Sequence, residues 1–118
     1  MNIVENITSE YIQNHTLEFS RGLVNLTLVY EKSVQMWKMN VTYTRKDNTE
    51  PQPPIYGVKL ALSTTHFKHR NWPFDFAVVD TTGSGVDPFR EDDFERGRCE
   101  LYFITPSEMI EIRGVDVR

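Results

Sequence analysis

From Trp37 to Thr44 apolar and polar residues alternate without a break: Trp37, Met39, Val41 and Tyr43 against Lys38, Asn40, Thr42 and Thr44. A period of two is the side-chain period of a strand, and helical spacing cannot gather these residues on one face. One face of this segment therefore meets a core, and the other meets water or a partner. Just upstream, Val24, Leu26, Leu28 and Tyr30 alternate with Leu23, Asn25, Thr27 and Val29. The short polar stretch Glu31-Lys32-Ser33 between the two runs suits a hairpin turn. Any fold for this chain has to accommodate these two strands as neighbours.

The remaining chain extends the pattern. Leu17-Glu18-Phe19 reads as a strand, and Ile7 to Gln13 as a short strand or turn. Arg45 to Pro54, with prolines at 51, 53 and 54, lacks ladder donors and reads as a long hairpin loop. Alternation resumes from Ile55 to Leu62, which puts Tyr56, Val58, Leu60 and Leu62 on one face. Phe74, Phe76 and Val78, set against Asp75, Ala77 and Val79, form another strand, and Arg98 to Ile104 the last. Thr105-Pro106-Ser107-Glu108 is a helix start, with Thr105 as the cap, Pro106 in first position and Glu108 three residues beyond the cap; Gly114 closes the helix early. The connections are too short for helical crossovers, so sequential antiparallel pairing follows. The expected fold is mostly β: a single domain over residues 1–118, an antiparallel β-sandwich or partly open barrel with one short C-terminal helix, and residues 1–15 as an extended N-terminal arm.

Charge and cysteine content narrow the function. A net charge of −4 and the absence of any long Lys/Arg run argue against sequence-specific nucleic-acid binding. The densest basic stretch, Lys68-His69-Arg70, reads as a solvated loop. The single cysteine, Cys99, excludes an intrachain disulfide and a zinc-finger ligand set, and its place in an alternating run reads as a buried strand position. The N-terminus lacks a basic start and an apolar core of the signal-peptide kind, and no apolar stretch reaches the length of a membrane span, so no membrane partner is expected. The sequons at Asn6, Asn14, Asn25 and Asn40 are read as chance, two of them falling within strand-like runs.

The stretch from Thr81 to Gly97 has no periodicity and carries the candidate chemistry. Gly83 and Gly85 invite a phosphate-cradle reading, but the Gly-Lys-Ser/Thr ending is missing and no long helix follows Pro88, so a glycine-permitted turn accounts for them better. Asp80, Asp87, Asp92 and Asp93 offer hard oxygen ligands without EF-hand spacing; if a cation binds, Asp87, Asp92 and Asp93 are the candidates. No catalytic residue is assigned, because no Ser-His-Asp, Cys-His or paired-carboxylate arrangement stands out, and no cofactor is expected. The loop aromatics Trp72, Phe89 and Phe94, with Arg90 and Arg96 beside the last two, are interface candidates; the competing reading folds the aromatics back over the sheet.

The order of these features resembles the small baseplate plug family of contractile-tailed bacteriophages. The resemblance runs from about residue 17 to residue 112, through Val34-Gln35-Met36-Trp37-Lys38-Met39-Asn40, Gly57-Val58-Lys59-Leu60, Phe76-Ala77-Val78-Val79-Asp80, Gly85-Val86-Asp87-Pro88 with Asp92-Asp93-Phe94, and Gly97 to Pro106 with Glu108. The Lys46–Pro54 loop is longer and richer in proline than the turn of that family. The resemblance implies a structural virion protein, not an enzyme, at the centre of the tail baseplate. It implies synthesis in the bacterial host cytoplasm and assembly with hub, tube and spike proteins, as a homo-oligomer of threefold or sixfold symmetry about the tail axis. The alternative from the residues alone is a soluble β-sandwich binding module for carbohydrate or a divalent cation, using Trp72, Phe89 and the acidic loop.

Overall fold

The computed structural model describes residues 2–46, 53–62, 66–67 and 72–108. Its strands are β1 (Asn2–Ile3), β2 (Ile12–Phe19), β3 (Gly22–Glu31), β4 (Met36–Arg45), β5 (Ile55–Lys59), β6 (Asp75–Asp80) and β7 (Cys99–Ile104). They form two sheets, one ordered β2-β3-β4-β5 and the other β1-β7-β6, and all pairs are antiparallel. The sheets do not close into a barrel. Of the two architectures expected, an antiparallel β-sandwich or a partly open barrel, the arrangement is consistent with the small sandwich.

The core lies between the inner faces of the two sheets. From the four-stranded sheet come Val24, Leu26, Leu28 and Tyr30 of β3 and Trp37, Met39, Val41 and Tyr43 of β4, all buried as the period-two reading requires. Phe76 and Val78 of β6 and Cys99, Leu101 and Phe103 of β7 face them. Phe74 stacks on Trp72 and meets Tyr43, Phe76 and Phe103 edge-on or tilted, with ring centroids 5.2–6.0 Å apart. Such offset and edge contacts add about 0.5–1.5 kcal/mol per pair beyond area burial.

Residues 1–15 run along the sandwich: β1 pairs with β7, the Val4 amide donates to the Leu101 carbonyl at 2.8 Å, Val4 and Ile7 enter the core, and Ile12 begins an edge strand. β1 is two residues long, too short for alternation to show. One placement differs from the sequence reading. Tyr56, which alternation sets on one face with Val58, Leu60 and Leu62, is 74% exposed, whereas Leu60 is buried. The β4–β5 register shifts between Met39 and Val41, and Gly57 sits there at φ +68°. The extra residue turns Tyr56 outward and lets Ile55 pair with Val41 on the inner side. Of the 46–54 loop, residues 47–52 lie outside the described residues, as does Gly114. The helix start is as expected: residues 106–108 are helical, and the Glu108 carboxylate accepts from both the amide and the hydroxyl of Thr105.

One close approach yields a sharp expectation. The turn Ser20-Arg21 joins β2 to β3, and a Cβ placed on Gly22 would stand 2.2 Å from the Thr44 carbonyl oxygen, a backbone atom of the paired strand. Gly22→Ala is therefore expected to destabilise the fold by about 1–3 kcal/mol, as overpacking does. Urea denaturation reads this as a lowered midpoint with an unchanged slope.

Candidate interface formed by the 81–97 loop

The loop between β6 and β7 has no repeating secondary structure, but it is tightly held. At its start the Asp80 carboxylate accepts from the Thr82 amide at 2.9 Å, the Thr82 hydroxyl at 2.6 Å, the Gly85 amide at 2.9 Å and the Ser84 hydroxyl. Gly83 and Gly85 have φ near +73° and +72°, the left-handed region that glycine enters without strain. The donors that suggested a phosphate cradle thus converge on the chain's own carboxylate. The Ser84 and Thr82 hydroxyls, with the Thr82 and Gly85 amides, hold Asp80 well below the usual carboxylate range against the opposing effect of desolvation.

The second anchor is Asp93, which is completely buried. Arg98 grips it as a fork, Nε to Oδ1 and Nη2 to Oδ2, both at 2.9 Å. The amides of Phe89 and Arg90 donate to Oδ2 at 2.8 Å each, and Arg96 Nη2 reaches Oδ1 at 3.2 Å. Burial alone would push the Asp93 carboxyl up; the Arg98 hydrogen bonds, then those of the two amides and Arg96, outweigh it and hold the group well below the usual carboxylate range. Arg98 also donates to the carbonyls of Val86 and Asp87 at 3.1 and 3.0 Å, and its Nη1 lies 3.7 Å from Asp80. One guanidinium joins both anchors.

The far sheet supplies a third hold. Tyr30 donates its hydroxyl to the Phe89 carbonyl at 2.8 Å, and Trp37 donates its indole N–H to the Arg90 carbonyl at 2.9 Å. Phe94 meets Trp37 edge-on at 5.5 Å. Every one of these bonds to residues 89 and 90 uses their backbone. The side chains remain outside: Phe89 is 38% exposed, with Arg98 5.4 Å and Arg90 6.0 Å from its ring centre, and Arg90 is exposed. Val86, also exposed, lies on the same loop.

The candidate residues therefore separate. Phe89 and Arg90 form an outward-facing pair on a rigid base. Arg96 is half exposed and joins Asp93 and Asp92. Of the loop aromatics named as interface candidates, Trp72 and Phe94 are buried in the core of this chain. The proposed cation ligands are not brought together. Asp93 is spent on Arg98 and the loop amides, Asp87 accepts from the Leu62 amide at 2.9 Å and pairs with Lys59, and Asp92 pairs with Arg96. Among the described residues no three His, Cys, Asp or Glu side chains are grouped to hold a metal.

Cys99 is buried, and burial pushes its thiol up to about 11 despite the nearby Arg98, so the thiolate that a nucleophile requires is scarce at neutral pH. It lines a cleft of about 390 Å³ with Ile3, Ile7, Phe94 and Glu100, whose lining contains no histidine. Tyr11 was not foreseen. Its ring lies 5.5 Å from that of Tyr30, and the neighbouring Glu91 carboxylate raises its hydroxyl pKa, so an exposed aromatic stands beside the same Tyr30 that holds Phe89. The stretch before β2 gave no periodic signal that could have singled it out. No protein-family model matches the chain, and no curated protein matches it.

Proposed function

We propose that the chain is a structural virion protein, a plug or hub component at the centre of a contractile phage tail baseplate, working by assembly with tube, hub and spike proteins and carrying no reaction centre. The order of motifs from the Trp37 strand to the Thr105-Pro106 cap supports the family. The observation that carries the mode of action is the use of backbone atoms alone to fix residues 89 and 90. A loop built this way exposes Phe89 and Arg90 in one geometry, and docking it costs little ordering entropy. Phe and Arg are residue types enriched at interface cores, and a net charge of −4 disfavours adhesion to DNA passing a tail channel. Mass spectrometry of purified tails, followed by electron microscopy of the baseplate, tests the reading. Absence of the chain from purified particles rejects it.

A further inference from the structure

Among the described residues the sandwich has four sheet edges, and three of them are blunted. β1 is two residues long. β6 has its Phe76 carbonyl taken by His66 Nδ1 at 2.7 Å, and the adjoining Asp75 carboxylate takes the Phe67 amide at 2.9 Å, so residues 66–67 cover that edge. β5 is five residues long, follows Pro53-Pro54, carries the Gly57 irregularity and ends on Lys59. Short length, proline, a bulge and lysine are the usual protections of an edge. β2 has none of them. It is eight residues long, pairs with β3 in unbroken register, contains no proline or glycine, and carries one acidic residue, Glu18, with Ile12 67% exposed.

The free backbone groups of β2 can be assigned. The Tyr30 amide donates to the Tyr11 carbonyl, which makes 11 and 30 a hydrogen-bonded pair. Antiparallel pairs alternate in type, so odd-numbered residues of β2 bond to β3, and the N–H and C=O groups of Ile12, Asn14, Thr16 and Glu18 point away from it. We infer that a second copy of this chain adds to this edge, β2 against β2 in antiparallel register about a twofold axis through His15, making one eight-stranded sheet from two sandwiches.

The register follows from the residues. Only pairings that set even positions opposite even positions use the free groups, and the one centred on residue 15 engages all four: Ile12 with Glu18, Asn14 with Thr16, and their symmetry mates. It also repeats the chemistry already present in the sheet. On the outer face Thr27 donates to Asn14 at 2.7 Å and Thr16 to Asn25 at 3.2 Å, so each Asn stands opposite a Thr. Thr42 opposite Asn25 and Asn40 opposite Thr27 continue the pattern into β4. Pairing Asn14 with Thr16 of the other copy carries the same alternation across the axis. Strands that are complementary to themselves in this way suit an isologous pair rather than an unrelated segment. The inference does not rest on the virion reading; it concerns the chain in solution.

Sedimentation equilibrium of the full chain, from micromolar to hundred-micromolar concentration, is expected to show a concentration-dependent species of twice the chain mass. Thr16→Pro removes a central edge-facing N–H without removing a β3 bond, a placement that edge strands tolerate, and is expected to give a folded monomer with unchanged far-UV circular dichroism. The register has its own test. Ile12→Lys, opposite Glu18 of the other copy, is expected to keep or tighten the dimer; Ile12→Glu, opposite the same residue, is expected to weaken it about tenfold relative to Ile12→Lys. A wild-type chain that stays monomeric throughout overturns the inference, including the case in which it pairs only with an extended peptide from elsewhere. A dimer indifferent to the sign of charge at position 12 overturns the register.

Discussion

Replacing Arg98 with methionine is expected to lower the stability of the fold by about 3–5 kcal/mol, the cost of taking from a buried carboxylate the cation that meets both its oxygens and leaving it only the half-exposed Arg96 at 3.2 Å. Asp93 is wholly buried and the Arg98 side chain is 10% exposed, so water cannot take over the lost contacts. The substitution also removes the donors to the carbonyls of Val86 and Asp87, freeing the loop from β7 as it destabilises the core. For a chain of 118 residues this loss corresponds to a fall in Tm on the order of 10–20 °C, measured by calorimetry. Arg98→Lys keeps the charge but not the planar fork that meets both Asp93 oxygens, and is expected to fall between the two. A loss below about 1 kcal/mol for Arg98→Met would place the pair among solvent-screened surface bridges and refute this account.

The same pair sets an acid limit. Asp93 and Asp80 have folded-state values depressed below the ordinary carboxylate range. A depressed group contributes its full stability above the unfolded value, near 4, and loses it as pH falls from there toward the folded value. Stability of the wild type should therefore decline as pH drops below about 4. In Arg98→Met the largest support for the Asp93 charge is gone, so the protein should start less stable and lose less on acidification.

The sheet was legible in the chain because its signal is local. Trp37, Met39, Val41 and Tyr43 state their own side of β4, and no distant residue is needed to interpret them. Tyr56 was placed on the wrong face because one left-handed glycine shifts the register, and alternation cannot announce an inserted residue. Trp72 and Phe94 illustrate a different gap: outside a strand, an aromatic carries no sign of which way it turns, and that is decided by Phe74 and Trp37. Asp93 was legible only as one acid among several. What separates it from Asp92 is that Arg98, five residues on, returns to it from just before β7, a fact of the folded chain invisible in spacing. The outward aromatic and cation of the loop were found as Phe89 and Arg90, but the reason they hold still, two donors from the opposite sheet, lay some fifty residues away in Tyr30 and Trp37.

If the baseplate reading is right, the double change Phe89→Ser with Arg90→Ala should leave the fold almost untouched and cost the chain its place in the particle. The fold is spared because the bonds from Tyr30, Trp37 and Asp93 go to main-chain atoms of residues 89 and 90, which any side chain provides. What the fold loses is one ring near Arg98, worth about 1 kcal/mol or less at an exposed site. Docking loses an aromatic and a guanidinium together, the kinds of side chain that dominate interface energies; at about 2 kcal/mol for the pair, occupancy at limiting concentration should fall about 30-fold or further. Quantitative mass spectrometry of purified tails measures the incorporated copies, and circular dichroism with thermal melting verifies the fold in the same preparation. Wild-type incorporation of the double variant would mean that the assembly uses another face, and the backbone-held loop would then serve only to close the end of the sandwich. Loss of incorporation with an unchanged melt requires a partner surface that reads these two side chains, because the rest of the loop stays where its main chain is fixed.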